Sequence, residues 1–144
     1  MTKQLEWYFA GIMDGEGCIN INLNRKRNEY RLRLSVTNTS IELMEWLKHN
    51  IGGYYYHRKK QKPSYKEKYE WCIYASNIQK HVVLMLKNKL VIKPKQLDIA
   101  LKFLSTIKYT GGKKTPEIFL IREKLWNEMK ILNGKGANDL AISS

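Results

Sequence analysis

A chain of 144 residues that is 43% hydrophobic can bury one core, and 26 Lys+Arg against 13 Asp+Glu leave it a formal charge of +13. That excess favours a polyanion over a small-molecule substrate. A membrane partner is set aside, because no long basic amphipathic helix and no stretch of transmembrane length is present.

The N-terminus lacks the form of a secretory signal. Leu5 to Asp14 is predicted as a helix. Leu5, Tyr8, Phe9 and Ile12 share one face, and Trp7, Ala10, Gly11 and Asp14 share a second. A helix apolar nearly all round is buried on two sides, and the second side points to a partner chain. Cys18 to Asn24 and Tyr30 to Thr37 alternate with period two about the polar turn Arg25–Glu29, so they are predicted as a half-buried hairpin. Thr39 to Glu42 has the form of a capping box for a helix reaching Asn50, which Gly52-Gly53 ends. A second hairpin is expected from Tyr54–Lys59 and Tyr69–Ala75, joined by the basic loop Lys60–Lys68. Ser76 to Gln79 is a second capping box, for a helix to Leu86. Pro94 starts a helix to about Lys108, Gly111-Gly112 breaks the chain, and Thr115-Pro116-Glu117 starts a last helix to Leu132. The tail Asn133–Ser144 is expected to fray. The order gives an α+β fold with an antiparallel sheet, apolar on one face and basic on the other.

The outward face is expected to carry Asn20, Asn22 and Asn24, then Arg31, Arg33, Ser35 and Thr37, then Tyr55, His57 and Lys59, then Glu70, Cys72 and Tyr74. Arg pairs with guanine, Asn with adenine, and Glu accepts from cytosine, so this set has the chemistry of base readout in a major groove. The bland alternative is a solvated sheet face. Three alternating Asn argue against it, since Asn is disfavoured in strands.

Asp14 and Glu16 flank Gly15 where the first helix must end. Carboxylates there face the negative end of the helix dipole, and a divalent cation would neutralise them. Oxygen ligands alone suit Mg²⁺. The two cysteines, Cys18 and Cys72, form no C-x-x-C pair, which argues against a cysteine zinc site and fits a reducing compartment.

Phe9-Ala10-Gly11-Ile12-Met13-Asp14-Gly15-Glu16-Gly17 resembles the LAGLIDADG motif of homing endonucleases, with Glu16 in place of the motif's last Asp. The resemblance extends to an αββαββα order across residues 5–108. It implies a saddle-shaped antiparallel sheet with helices on one face, in a single domain. One motif implies a homodimer, with Trp7, Ala10 and Gly11 at the interface. It further implies Glu16 as the metal ligand, Gly15 as a backbone-carbonyl ligand, and Asp14 as the other acid of the site, more often structural than ligating. Val36-Thr37-Asn38 matches the end of the family's second strand, where Asn38 helps place water. Ile92-Lys93-Pro94 matches the segment where Lys93 approaches the scissile phosphate. The implied activity is Mg²⁺-dependent cleavage of both strands of a long, pseudo-palindromic duplex DNA site. Mn²⁺ is expected to substitute, and Ca²⁺ to bind without supporting cleavage. The rival expectation is a cleavage-inactive DNA-binding protein or an intron-splicing maturase of the same fold, with intron RNA as a further partner. The expected setting is intracellular and reducing, in an organelle or a prokaryotic cytoplasm.

Overall fold

The computed structural model describes residues 2–110 and 115–134. The chain runs α1 (Lys3–Glu16), β1 (Gly17–Asn24), β2 (Glu29–Asn38), α2 (Ile41–Asn50), β3 (Tyr54–Arg58), β4 (Lys68–Ile73), α3 (Ser76–Leu86), α4 (Pro94–Thr110) and α5 (Pro116–Leu132). The four strands form one antiparallel sheet in the order β1-β2-β4-β3. The two hairpins therefore meet along β2 and β4, with Leu34 opposite Ile73 and Val36 opposite Trp71. Among the described residues, no helix is long and apolar enough to cross a membrane.

Alternation sets which face is buried. Ile19 and Ile21 on β1, Tyr30, Leu32, Leu34 and Val36 on β2, and Trp71 and Ile73 on β4 all face the core. They pack with Phe9, Met13, Met44, Leu47, Val82, Val83, Leu86, Phe103 and Met129 from the helices. Apolar area of this kind stabilises a domain at roughly 25 cal/mol per Å² removed from water.

The helix starts depart from the expected caps at two places. The N-cap of α2 is Ser40, whose Oγ accepts from Leu43 N at 3.2 Å, rather than Thr39, which lies between β2 and that cap. Ser76 does not cap α3. Its N-cap is Ala75, with no side-chain hydrogen bond. Gln79, the other half of the expected box, is buried, and its Nε2 donates to Leu32 O at 2.6 Å and Ile73 O at 2.9 Å. One amide thus joins the two central strands at the end where their ladder stops. The cap at Thr115 holds as expected, its hydroxyl accepting from Ile118 N. Asn133 was expected to fray, but its Nδ2 donates to Ile19 O at 3.0 Å and ties the end of α5 to β1. The expected break at Gly111-Gly112 and the remainder of the tail, 135–144, lie outside the described residues.

Two glycines are required by geometry. A Cβ at Gly17 would lie 2.7 Å from Met13 Cα and O, so the helix-to-strand step leaves no room for a side chain. Gly53 has φ +78, and a Cβ there would lie 2.5 Å from Cys72 O.

Replacing Gln79 by Met keeps the volume but leaves two buried carbonyls without their donor. The expected loss of stability is about 1–3 kcal/mol, read from urea unfolding.

Candidate active site and nucleic-acid interface

The two acids at the end of α1 have separate jobs. Asp14 turns toward the start of α4. Its carboxylate accepts from Val91 N at 2.6 Å, Ile92 N at 3.0 Å and Lys93 N at 3.2 Å. These are successive N–H groups just ahead of the helix that starts at Pro94, an anion-binding end by nature. The expected conflict between Asp14 and the α1 dipole is therefore resolved within the chain, and its carboxylate is not left over for a cation. In return Lys93 Nζ donates to Asp14 O at 2.6 Å, placing an ammonium on the carbonyl end of α1. The clamp holds Lys93 beside the motif.

Glu16 stays exposed at the last position of α1. Its Oε2 accepts from Asn38 Nδ2 at 2.5 Å. Asn38 is itself oriented, since its Oδ1 accepts from Ser40 N at 2.8 Å in the turn that starts α2. Only the amide nitrogen is then left to meet Glu16. Gly15 lies in the final turn, where helix carbonyls have no following turn to donate to them. The structure thus gathers Asp14, Gly15, Glu16, Asn38 and Lys93 at one end of α1. No set of three His, Cys, Asp or Glu within the described residues could hold a metal. What one chain offers is a single exposed carboxylate with backbone oxygen nearby. That donor set suits Mg²⁺, which keeps several waters and takes one or two carboxylates plus phosphate.

The exposed face of α1 differs from the expected one. Phe9, Ala10 and Met13 are buried in the chain's own core, so Ala10 presents no surface to a partner, contrary to expectation. Trp7, Gly11 and Gly15, spaced by four, are exposed, with Tyr8 beside them. A side chain at Gly11 or Gly15 would meet nothing within 4 Å. Tyr8 packs edge-on against Trp46 of α2 at 4.9 Å, and Lys89 lies 5.7 Å from the Trp7 ring centroid. Because α1 is apolar all round, periodicity could not say which stripe meets the sheet.

The outward sheet face has the expected phase on β1 and β2 and is shifted by one residue on β3. Asn20, Asn22, Arg31, Arg33 and Thr37 lie on it. Asn20 Nδ2 donates to Asn22 Oδ1 at 2.9 Å. Asn24 instead caps the hairpin turn, its Oδ1 accepting from Lys26 N and Arg27 N. On β3, Tyr54 pairs with Cys72 and Tyr56 with Glu70, so Tyr54, Tyr56 and Arg58 face outward. Tyr55 and His57 pair with Trp71 and Tyr69 and lie on the helix side. The Tyr55 hydroxyl donates to Glu45 of α2, and His57 pairs with Glu67. Lys59 falls beyond the strand. A slip of one residue flips every side chain, and Tyr54-Tyr55-Tyr56 carries no alternation from which to read the phase.

Three more expected readers are recessed. Ser35 is 4% exposed, Cys72 0% and Glu70 8%. Ser35 and Cys72 are short and lie opposite each other among longer side chains. Glu70 Oε2 accepts from Arg33 Nη2 at 2.5 Å and from the Tyr56 hydroxyl, and Oε1 accepts from the Thr37 hydroxyl at 3.3 Å. Burial works against the Arg33 charge, but the hydrogen bond and charge of Glu70 outweigh it and hold its pKa above the ordinary value. Arg31 and Arg33 lie 5.0 and 5.8 Å from the centroid of Tyr74. Tyr54 stacks on that ring at 6.4 Å, its hydroxyl pushed up to about 12 by its hydrogen bond to Cys72 and by burial. Tyr54 and Tyr56 were absent from the expected set.

Residues 9–107 match the sequence model of the LAGLIDADG endonuclease family. No curated protein sequence matches. Several solved structures share the fold. The archaeal intron-encoded homing endonuclease I-Vdi141I, complexed with DNA, superposes with a TM-score of 0.77 at 19% identity, covering 92% of this chain and 86% of its own. The homing endonuclease I-CvuI, in complex with its target in the presence of Ca, gives 0.75 at 18% identity, covering 90% and 82%. The homing endonuclease I-TnaI gives 0.70 at 19% identity, covering 94% and 95%.

The two acids separate on stability. Asp14→Ala leaves three N–H groups without their acceptor and should lower unfolding free energy by about 1–3 kcal/mol, whereas Glu16→Ala should change it by less than about 0.5 kcal/mol. Paired urea titrations check this.

Proposed function

The chain belongs to the LAGLIDADG endonuclease family, and we propose that it is a homodimeric homing endonuclease that hydrolyses both strands of a long, pseudo-palindromic duplex DNA site with Mg²⁺. The observation that carries this reading is Glu16, an exposed carboxylate held by Asn38 at the end of a helix whose Trp7–Gly11–Gly15 face is open. One chain supplies one such carboxylate. A two-fold pairing of α1 helices across the glycines would bring two of them together, one for each strand.

Glu16 and the Gly15 carbonyl would hold the ion, with phosphate and water completing the shell. The bound ion supplies Lewis acidity and neutralises charge on the phosphate. Mn²⁺ would take its place, and Ca²⁺ would bind without supporting cleavage. Asn38 fixes the rotamer of Glu16 and presents an amide at which a water can be placed. Lys93 holds a positive charge beside the phosphate position, and Asp14 keeps it there by anchoring the backbone on which it stands. Arg31, Arg33, Asn20 and Asn22 line the face that would follow the major groove. Cys18 and Cys72 form no disulfide with each other, which fits a reducing compartment, an organelle or a prokaryotic cytoplasm.

Glu16→Gln should abolish cleavage, with no product above background in Mg²⁺, while binding to a selected duplex stays within about threefold. Wild-type cutting by this variant would remove Glu16 from the site, and cleavage by neither protein would favour a binding role without catalysis.

Assembly has its own test. A side chain at Gly11 meets open space in the single chain, so Gly11→Leu should leave the fold intact and add up to about 1 kcal/mol of helix stability. The same side chain blocks close helix approach, and light scattering should report a monomer.

A further inference from the structure

We infer that Glu70 and Tyr74 are positioning residues that hold Arg33 and Arg31 as preorganised readers of guanine, and that Glu70 itself reads no base. The inference rests on the reading above, that the outer sheet face lies on duplex DNA.

An exposed arginine samples many rotamers, whereas a directed hydrogen bond to guanine N7 or O6 is favoured when the plane of the guanidinium is set in advance. Here the plane is set. Arg33 Nη2 donates to Glu70 at 2.5 Å and to the Tyr56 hydroxyl at 3.3 Å, and the side chain is 18% exposed. Its guanidinium and that of Arg31 both lie on the Tyr74 ring. Within the described residues, Arg33 Nη1 has no hydrogen-bond partner, so this one donor nitrogen remains for guanine N7 or O6, while Nε is buried without a partner. Glu70 has no such freedom. Both of its oxygens accept from protein donors, and the residue is 8% exposed. A cytosine amino group would have to displace them.

The charge at this place separates the possible roles. A carboxylate on the binding face of a chain of net charge +13 opposes phosphate attraction. If Glu70 positions Arg33, removing its charge should raise affinity for an unrelated duplex and lower affinity for the right one. A purely electrostatic role would raise both, and a purely structural one would lower both.

The test is Glu70→Gln, measured against two probes. One is a duplex recovered by the wild-type protein from a randomised library, and the other is a scrambled duplex of equal length. The expected result is a fall of about tenfold on the selected duplex and a rise on the scrambled one, with melting temperature recorded for both proteins. Substituting 7-deazaguanine at one symmetric pair of guanines should weaken the wild-type protein and leave the variant unaffected. Tyr74→Leu, which keeps the Glu70 network, should also reduce discrimination at that pair. The two affinities of Glu70→Gln moving in the same direction would overturn the inference, as would insensitivity of the wild-type protein to 7-deazaguanine at every guanine. Recovery of no preferred duplex by the wild-type protein would instead overturn the DNA reading on which it stands.

Discussion

The contact between the Asp14 carboxylate and the backbone N–H groups of Val91, Ile92 and Lys93 organises the end of α1 where the motif closes. It joins two helix ends of opposite polarity. The negative end of α1 receives the Lys93 ammonium, and the N–H groups ahead of α4 receive the Asp14 carboxylate. Each charge meets the dipole that suits it, and the exchange fixes the approach of segments 77 to 79 residues apart. Glu16, two residues beyond Asp14, is left facing solvent with one oxygen bound by Asn38. The difference between the two acids follows from this geometry, with one engaged by three backbone N–H groups and the other left exposed.

The sheet offers a second platform with different physics. Its helix side is closed by apolar packing and by Gln79, which bridges β2 and β4. Its outer side is polar but not loosely solvated. Asn20 bonds to Asn22, Asn24 is committed to the hairpin turn, and Arg33, Thr37 and Tyr56 converge on Glu70. Such prior engagement lowers the conformational entropy lost when a surface binds. It also leaves for any ligand of this face only the donors and acceptors that are not already engaged.

What the sequence by itself determined was everything carried by periodicity and by motif. Alternation in β1 and β2 placed Ile19, Ile21, Leu32, Leu34 and Val36 inside and Asn20, Asn22, Arg31 and Arg33 outside, because a strand has only two faces and one of them must leave water. The nine-residue run from Phe9 to Gly17 located the helix end, its glycines and its acids. Tertiary structure decided what local patterns left degenerate. Around α1 the apolar residues form no single stripe, so only packing on the sheet could bury Ala10 and expose Gly11. In β3 three consecutive tyrosines share one chemistry, and only pairing with β4 could send Tyr54 and Tyr56 outward and Tyr55 toward α2. Gln79 looked like half of a capping box because capping boxes are local, whereas its partners lie on other strands. Asp14 and Glu16 looked alike for the same reason. Adjacent acids on one turn are distinguished only by what the rest of the chain brings to each, and here it brought three N–H groups to one and a single amide to the other.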